Sequence, residues 1–269
     1  MLGLALWLSA CAPFLVAPVT PAAPVALAVP VSTSARQALA PTGTLRVGVY
    51  PGSPTSLVIH PQTGERSGVA LALGQLMGQQ MGVPVQVVEF ARVADIITAI
   101  QRGQVDMTFT NASPARAQDV DFTRTLVQLE LGLLLPPNST VTRFVEVDRV
   151  GMRVGVSQGS SSQGVLTQQF KKAQIVPVAS LEVAQQLLRT GQLDAFATNK
   201  GILFEMREKL PDFKVSDDRW GLENLAIAVP KGREAGQAFL AAFADQVTGS
   251  GQLTRMADRA GLRGLAKTE

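Results

Sequence analysis

Short polar side chains recur at two corresponding places in this sequence. Residues 46–53 (RVGVYPGS) return as residues 153–160 (RVGVSQGS), and residues 103–111 (GQVDMTFTN) return as residues 191–199 (GQLDAFATN). In each string a β-like run ends in small or polar residues, so hydroxyl, amide and backbone N–H groups gather at strand ends. No nucleophile, base and orienting residue stand together as a catalytic triad requires. The pattern therefore favours non-covalent binding of a small solute.

Four strand ends supply the candidate ligand-binding residues. If the two similar halves face each other, these ends meet at a cleft, and clefts are where small molecules bind. Ser160 and Ser161 begin a predicted helix, where free N–H groups and the helix dipole favour an anion; capping that helix is the simpler role. The candidates at the four ends are Tyr50, Ser53, Thr110, Asn111, Ser113, Arg116, Ser160, Ser161 and Asn199.

Alternating strands and helices are predicted to position these residues. Such an order implies parallel sheets with right-handed crossovers, and ligands bind beyond the carboxyl ends of the strands. Residues 54–68 are predicted to form an extended hairpin around Gly64. The main elements are predicted at 45–49 (strand), 69–81 (helix), 83–88 (strand), 93–102 (helix), 105–109 (strand), 150–156 (strand), 160–170 (helix), 175–179 (strand), 181–189 (helix) and 193–197 (strand).

The remaining segments predict how the halves are joined. Residues 131–135 and 225–229 are apolar and β-like, and we expect them to be two crossing strands at a hinge. Residues 234–248 and 252–260 are predicted to be helices that pack on the first lobe. The predicted domains are an export segment and flexible tether (1–42), lobe 1 (43–133 plus 226–269) and lobe 2 (134–225).

The N-terminal segment is typical of an exported protein. No charged residue precedes Arg36, and Ala, Val, Leu and Pro dominate the segment. Cys11 follows Leu8-Ser9-Ala10, which resembles the lipobox of bacterial lipoproteins and predicts lipid attachment at Cys11. The alternative is a secretory signal cut after residues 26–28, with Cys11 removed. Either interpretation places the protein outside the cytoplasm, in the periplasm or cell envelope, with no membrane contact beyond the lipid anchor.

The composition of the sequence limits the classes of partner that we expect the protein to bind. A net charge of +3 and only 5% aromatic residues give no basic or aromatic stripe for nucleic acid. His60 is the only histidine and Cys11 the only cysteine, and no cluster has the spacing of metal ligands. We expect no metal, no cofactor and no nucleic-acid partner, and we expect a monomer.

Taken together, the motifs resemble family 3 of the extracellular solute-binding proteins of bacterial ABC importers, the polar amino-acid-binding type. The resemblance implies an α/β fold of the periplasmic-binding-protein type II, with two parallel-sheet lobes joined by a two-stranded hinge. It also implies delivery of a small polar or anionic solute, amino-acid-like or carboxylate, to a membrane permease and its ATPase. The matching segments are residues 43–49, 97–106, 113–123, 153–160, 187–194 and 226–232.

Three positions decide what this resemblance implies about the ligand. The family arginine at the position of Arg116 clamps the ligand carboxylate, which suits a planar guanidinium; the alternative is a surface arginine at a helix start. Asn199 stands where amino-acid binders usually carry an acid for the ligand ammonium, and Tyr50 replaces a second acid of basic-amino-acid binders. A neutral amide cannot neutralise an ammonium in a poorly hydrated cleft. We therefore expect a carboxylate, another oxyanion or a neutral polar ligand without a free α-ammonium.

Two other functions remain as alternatives. Cyclohexadienyl dehydratases resemble these binders, but such an enzyme needs a carboxylic acid in the cleft as proton donor. The predicted loop after Asn199 offers no acid before Glu205, so we expect no enzymatic activity. The second alternative is an extracellular sensory ligand-binding protein that reports to a receptor.

Overall fold

The computed structural model describes residues 29–266, which form a two-lobed α/β fold. The lipid-attachment prediction for Cys11 lies outside these residues. The helices are α1 (Thr33–Leu39), α2 (Val69–Met81), α3 (Val93–Gln101), α4 (Pro114–Ala117), α5 (Ser161–Gln169), α6 (Leu181–Arg189), α7 (Lys200–Lys209), α8 (Glu234–Gly249) and α9 (Gln252–Arg259). The strands are β1 (Leu45–Val49), β2 (Val58–Ile59), β3 (Arg66–Ser67), β4 (Val85–Glu89), β5 (Thr108–Asn111), β6 (Val120–Phe122), β7 (Val127–Leu135), β8 (Arg153–Ser157), β9 (Gln174–Val178), β10 (Ala195–Asn199), β11 (Lys214–Val215) and β12 (Gly221–Pro230). Among the described helices, none combines the length and apolar character needed to cross a membrane.

Lobe 1 is built on β1, which pairs in parallel with β4 and bridges to Met107 just before β5. Helix α2 lies close against this sheet because Gly74 has no side chain: a Cβ atom there would lie 2.5 Å from Val47 Cγ2. The predicted helix 69–81 and the hairpin of residues 54–68 are confirmed. Helices α8 and α9 pack on this lobe as expected, since their apolar residues share one core with those of β1 and α2.

Lobe 2 repeats the arrangement around β8, which pairs in parallel with both β9 and β10. The predicted helix 181–189 is confirmed, and its N-cap is Ser180, whose Oγ accepts a 3.3 Å hydrogen bond from Val183 N. Helix α7 follows β10 directly and corrects the expected loop after Asn199. The local reason is that the Asn199 side chain caps this helix by accepting from Ile202 N.

The hinge consists of β7 and β12, which pair antiparallel from Gly221–Leu131 to Leu225–Val127. Each strand also joins a lobe: β12 pairs antiparallel with β5, and β7 pairs antiparallel with β10. The lobes therefore contain mixed sheets, not the purely parallel ones that strand–helix alternation predicted, because the crossing strands return through them. The core divides similarly: Leu129 and Leu225 join the lobe 1 core, whereas Leu133 joins that of lobe 2. The exact domain boundaries remain a prediction.

Helix α1 contradicts the expected flexible tether for residues 33–39. Ser32 Oγ caps the helix by accepting from Ala35 N, and Arg36 Nε donates a 2.6 Å hydrogen bond to the carbonyl oxygen of Met81. Ala35 and Leu39 lie one turn apart and are buried in the lobe 1 core, against α8. An apolar stripe of only two residues, covered by a helix from the far end of the chain, gives little signal in the sequence.

The charged residues of the repeated strings have a structural role. Arg46 and Asp106 form a two-pronged ion pair, and Asp106 also accepts from Arg46 N at 3.0 Å. Arg153 and Asp194 repeat each of these contacts in lobe 2. Both pairs fasten the amino ends of adjacent strands. The repeat therefore fixes strand alignment, and the carboxyl ends of the same strands form the cleft.

Candidate functional site

The cleft lies between the lobes, at the carboxyl ends of their strands. Only about 30 Å³ of it is open to the centres of water molecules, so the lobes are nearly closed on each other. A wider groove between β6 and α8 lies elsewhere on lobe 1 and contains the Arg124–Asp245 ion pair. The residues that line the cleft are Tyr50, Thr55, Ala91, Arg92, Val93, Thr110, Arg116, Ser157, Ser160, Ser180, Leu181, Thr198, Asn199, Ile202, Glu223 and Leu225.

Arg116 points from the short helix α4 of lobe 1 into this cleft. Its Nη1 donates to Thr110 Oγ1 at 2.7 Å and to the carbonyl oxygen of Asn111 at 3.4 Å. Within residues 29–266, neither Nε nor Nη2 has a protein acceptor. Desolvation lowers the pKa of Arg116 from its ordinary value, against the opposing effect of Glu223. A guanidinium whose Nε and Nη2 donors are unused in an enclosed cleft is suited to bind an anionic group.

Tyr50, at the end of β1, joins the two lobes. Its ring packs against apolar residues of both lobe cores, and its hydroxyl donates to Ser53 Oγ at 3.2 Å. Burial raises the pKa of the phenol, which stays neutral. Tyr50 therefore combines the two roles considered for it, since it packs between the lobes and lines the cleft.

Ser160 brings the N-terminus of α5 to the cleft from lobe 2. Its Oγ accepts from Gln163 N at 3.1 Å, which is the hydrogen bond of an N-cap residue. The capping role is thus observed, and the same helix end supplies free N–H groups and the positive end of its dipole to the cleft. With Tyr50, Thr110, Arg116 and Asn199, Ser160 is one of five predicted residues that line the cleft.

Four predicted residues, Ser53, Asn111, Ser113 and Ser161, are not among the residues that line the cleft. Ser53 Oγ contacts Thr55 Oγ1 at 2.8 Å, and Asn111 Oδ1 accepts from Asn224 N at 3.0 Å. Ser113 Oγ caps α4 at Arg116 N. Ser161 Oγ is buried and has no hydrogen-bond partner among the described residues. Direct ligand contacts from these four residues remain a prediction.

Glu223 of the hinge strand β12 lines the cleft and is absent from the sequence prediction. Its Oε2 accepts a 2.9 Å hydrogen bond from Asn199 Nδ2, while Asn199 Oδ1 accepts from Ile202 N at 3.0 Å. Burial raises the pKa of Glu223, and Arg116 and the Asn199 hydrogen bond oppose that rise. Glu223 lies two residues before Leu225 of the predicted hinge strand, so both side chains fall on one face, but the sequence does not show what that face meets.

Glu223 therefore adds to the cleft an acid that the comparison at position 199 did not include. Asn199 is neutral, but Glu223 places a carboxyl group beside it. The other acid considered, Glu205, lies on α7 in a separate surface depression with Pro51 and Lys209. No three His, Cys, Asp or Glu side chains between residues 29 and 266 are grouped to hold a metal ion.

The cleft lining carries two arginines and one carboxyl group. Arg92 forms an ion pair with Asp95. Arg116, from lobe 1, and Glu223, from the hinge, form no ion pair with each other or with another residue between 29 and 266. Each influences the pKa of the other through space. Such an arrangement can hold a ligand that has separate negative and positive, or hydrogen-bonding, groups.

Two curated relatives share part of the chain. The glutamine-binding protein GlnH of a Bacillus subtilis ABC transporter is 25% identical over 183 residues, which cover 65% of this chain and 66% of the relative. A glutamine-binding protein of Geobacillus stearothermophilus is 22% identical over 179 residues, covering 64% and 67%. The match thus spans about two thirds of the length of each relative.

Solved structures share the fold over most of the chain. An ancestral amino-acid-binding protein, described as a precursor of cyclohexadienyl dehydratase, aligns with a TM-score of 0.72 and 22% identity, covering 83% of this chain and 98% of the other. The L-cysteine solute receptor of Neisseria gonorrhoeae gives 0.75 and 20%, covering 88% and 100%. An L-arginine-bound substrate-binding protein of Streptococcus pneumoniae gives 0.75 and 16%, covering 83% and 97%.

The family model for bacterial extracellular solute-binding proteins, family 3, matches residues 45–261, which include both lobes and the hinge. The observed fold is that of the type II periplasmic binding proteins, as the sequence predicted. The chain belongs to the bacterial extracellular solute-binding proteins, family 3.

Proposed function

We propose that this protein captures a small polar solute outside the cytoplasm and delivers it to the permease and ATPase of an ABC importer. The observation that carries the proposal is Arg116 in the closed cleft. Its charge is desolvated, and among residues 29–266 only the donors on Nη1, of its five N–H donors, have protein acceptors. Because an unpaired charge in a closed site is costly, an anionic ligand group is the partner that this guanidinium requires.

The opposite wall supports the same proposal. Ser160 places the α5 N-terminus in the cleft, and helix N-termini favour negative charge. A ligand carboxylate between Arg116 and this helix end would contact both lobes at once. Contacts that exist only in the closed state shift the equilibrium towards closure, with β7 and β12 as the hinge. The closed form is what a transporter would recognise.

The proposal is tested by a thermal-shift screen of the twenty L-amino acids and a set of small carboxylates, followed by calorimetry. Bound ligand raises the apparent stability of the folded protein by mass action. We expect at least one solute to stabilise the wild type but not Arg116→Ala. Arg102→Ala is the matched control, because Arg102 is exposed at the end of α3 and outside the cleft lining. A screen in which no solute stabilises the wild type contradicts the proposal.

Measuring cellular uptake of the bound solute distinguishes a transport role from a sensing role. If the protein serves an importer, cells without it lose uptake of the radiolabelled solute, and restoring the wild-type chain restores uptake. If the protein serves a receptor, uptake is unchanged while the response to the solute is lost.

One observation favours a second candidate function, a cyclohexadienyl-dehydratase-like enzyme. Glu223 is a cleft carboxyl group whose pKa is raised by burial, which is the state a proton donor needs. Turnover of prephenate or arogenate that disappears in Glu223→Gln would establish it. We favour binding because no second group of the described lining stands beside Glu223 as a base.

A further inference from the structure

We propose that Glu223 receives the ligand's ammonium group in place of the acid missing at position 199, and that Asn199 is its positioning residue. The inference rests on the proposed function of the cleft as a solute site. It assigns a specificity-determining role to a hinge residue and revises the expectation that the ligand lacks a free α-ammonium.

The first step is the orientation of the Asn199 amide. Its oxygen accepts from the backbone N–H of Ile202 at the start of α7, which leaves the amide nitrogen on the side of Glu223. The nitrogen then donates to Oε2 at 2.9 Å. Because a helix cap and a hydrogen bond fix both ends of the amide, Glu223 is held in one position. Its Oε1 has no hydrogen-bond partner among residues 29–266 and is available to a ligand.

The second step is the strand register. In the sheet, β7 lies between β12 and β10, and Leu131 of β7 is opposite both Gly221 and Asn199. Glu223 is two residues beyond Gly221 and therefore on the same face of β12. The Glu223 side chain extends across β7, the strand between β12 and β10, and its carboxylate accepts the hydrogen bond from the Asn199 amide. The carboxylate of a hinge residue therefore lies at the end of β10.

The third step is the charge balance at this corner. An aspartate at position 199 could cap α7 equally well, but it would place a second carboxylate in contact with Glu223. Like charges at that distance in a poorly hydrated site would force one of them to stay protonated. Asn199 and Glu223 together supply one carboxylate and one hydrogen-bond donor. One carboxylate is enough to neutralise one ligand ammonium.

The fourth step compares ligands. A zwitterion can place its carboxylate at Arg116 and its ammonium at Glu223, and so compensate both desolvated charges. A carboxylate ligand without an ammonium would satisfy Arg116 but leave Glu223 unpaired beside a second negative charge, which is strongly unfavourable. The chemistry of the whole cleft therefore favours an α-amino acid over its desamino counterpart.

The test measures both classes of ligand on the same protein. The probes are the twenty L-amino acids and three desamino counterparts: 4-carbamoylbutanoate for glutamine, 5-guanidinopentanoate for arginine and 3-mercaptopropanoate for cysteine. We expect the wild type to bind an amino acid at least about tenfold more tightly than its counterpart, since the counterpart cannot donate a charge-assisted hydrogen bond to Glu223. In Glu223→Gln this preference should disappear, while Glu65→Gln, on the exposed β2–β3 hairpin, should keep it.

A double variant tests the role directly. Asn199→Asp combined with Glu223→Gln moves the carboxylate from β12 to β10 and keeps a donor opposite it. We expect this variant to recover the amino-acid preference that Glu223→Gln loses, which a purely structural role for Glu223 would not produce. Circular dichroism of each variant verifies folding.

Three outcomes would overturn the inference: wild-type protein that binds none of the twenty amino acids, a counterpart that binds as tightly as its amino acid, or unchanged preference in folded Glu223→Gln. Tight binding of carboxylates that is lost in Arg116→Ala would still support the proposed solute-binding function. The two proposals therefore fail separately.

Discussion

A Cβ atom on Gly159 would lie 2.5 Å from the Cβ atom of Ala94, which belongs to the opposite lobe. Gly159 precedes α5 in lobe 2 and has a φ of +73°, and Ala94 is in the first turn of α3 in lobe 1. Nearby, Arg92 Nη1 donates to Gln158 Oε1 across the same boundary. At this point the lobes close only because position 159 has no side chain.

Gly159→Ala is therefore expected to hold the cleft partly open. The added methyl group meets Ala94 only in the closed form, so ligand affinity should fall by about tenfold or more, and the radius of gyration with ligand should exceed that of the wild type. Gly191→Ala is the matched control, because Gly191 has a similar φ of +65° but no atom within 4 Å of an added Cβ. Both variants bear the backbone strain of about 1–2 kcal/mol. Equal loss of affinity in both would contradict a closure effect.

Glu223→Gln is expected to make the ligand-free protein more stable at neutral pH. Burial raises the pKa of Glu223 above its ordinary value of 4.5, so the folded state holds this proton more tightly than the unfolded state. The stability is complete below about pH 4.5 and is lost as the pH rises through the folded pKa. Because glutamine does not ionise, the stability of the variant does not fall as the pH rises through this range.

Urea denaturation at pH 4 and pH 7.5 measures the effect. The variant should match the wild type at pH 4 and exceed it at pH 7.5, while Glu65→Gln should follow the wild type at both. A difference that does not change with pH would show that the Glu223 carboxylate is fully compensated without ligand.

Local sequence patterns predicted most of the lobes. Helices 69–81 and 181–189 have the expected bounds because each carries its own apolar periodicity and its own end signals, such as Ser180. Helix α7 was not predicted because the sequence Asn199-Lys200-Gly201 is also typical of a turn. The Asn199 cap starts this helix. The sequence does not distinguish an asparagine that caps a helix from an asparagine in a turn.

The predicted residues that line the cleft came from the ends of the repeated strands and, for Arg116, from the family resemblance. Tyr50, Thr110, Ser160 and Asn199 were found because the strings of the repeat mark these ends. Glu223 belongs to no repeat, and its role depends on the register of β12 with β7, which pairs residues about ninety positions apart. Long-range pairing of this kind is set by the tertiary fold, so the sequence alone could not reveal that an acid faces Asn199.

The two repeated ion pairs should differ in their contribution to stability. Their geometry is nearly the same, but the Asp106 side chain is 0% exposed and that of Asp194 is 32% exposed. Removing the buried Asp106 leaves the partly buried Arg46 without its carboxylate and costs up to about 3–5 kcal/mol, whereas the more exposed Arg153–Asp194 pair contributes up to about 1 kcal/mol. Asp106→Ala should thus lower the free energy of unfolding much more than Asp194→Ala. Equal losses in urea denaturation would show that strand alignment, and not burial, sets the contribution.

The Asp194 pair should also respond to acid. The hydrogen bond from Arg153 lowers the pKa of Asp194 from its ordinary value of 3.8. Its contribution is therefore present above that value and is lost as the pH falls through the lower folded pKa. The stability difference between the wild type and Asp194→Ala should shrink as the pH falls below about 3.8.

Leu39→Ala tests whether the segment before residue 43 belongs to the folded domain. Leu39 is 1% exposed in the lobe 1 core, and its Cγ lies where a Cβ atom on Gly236 of α8 would come within 2.5 Å. Replacing such a leucine with alanine costs about 2–5 kcal/mol, because apolar contacts are lost and a cavity remains. The exposed neighbour Gln37 provides the control Gln37→Ala, which should leave the unfolding midpoint unchanged. If α1 acted only as a flexible tether, Leu39→Ala would unfold at the same urea concentration as the wild type. A large loss confined to Leu39→Ala would instead show that α1 is required for the stability of lobe 1.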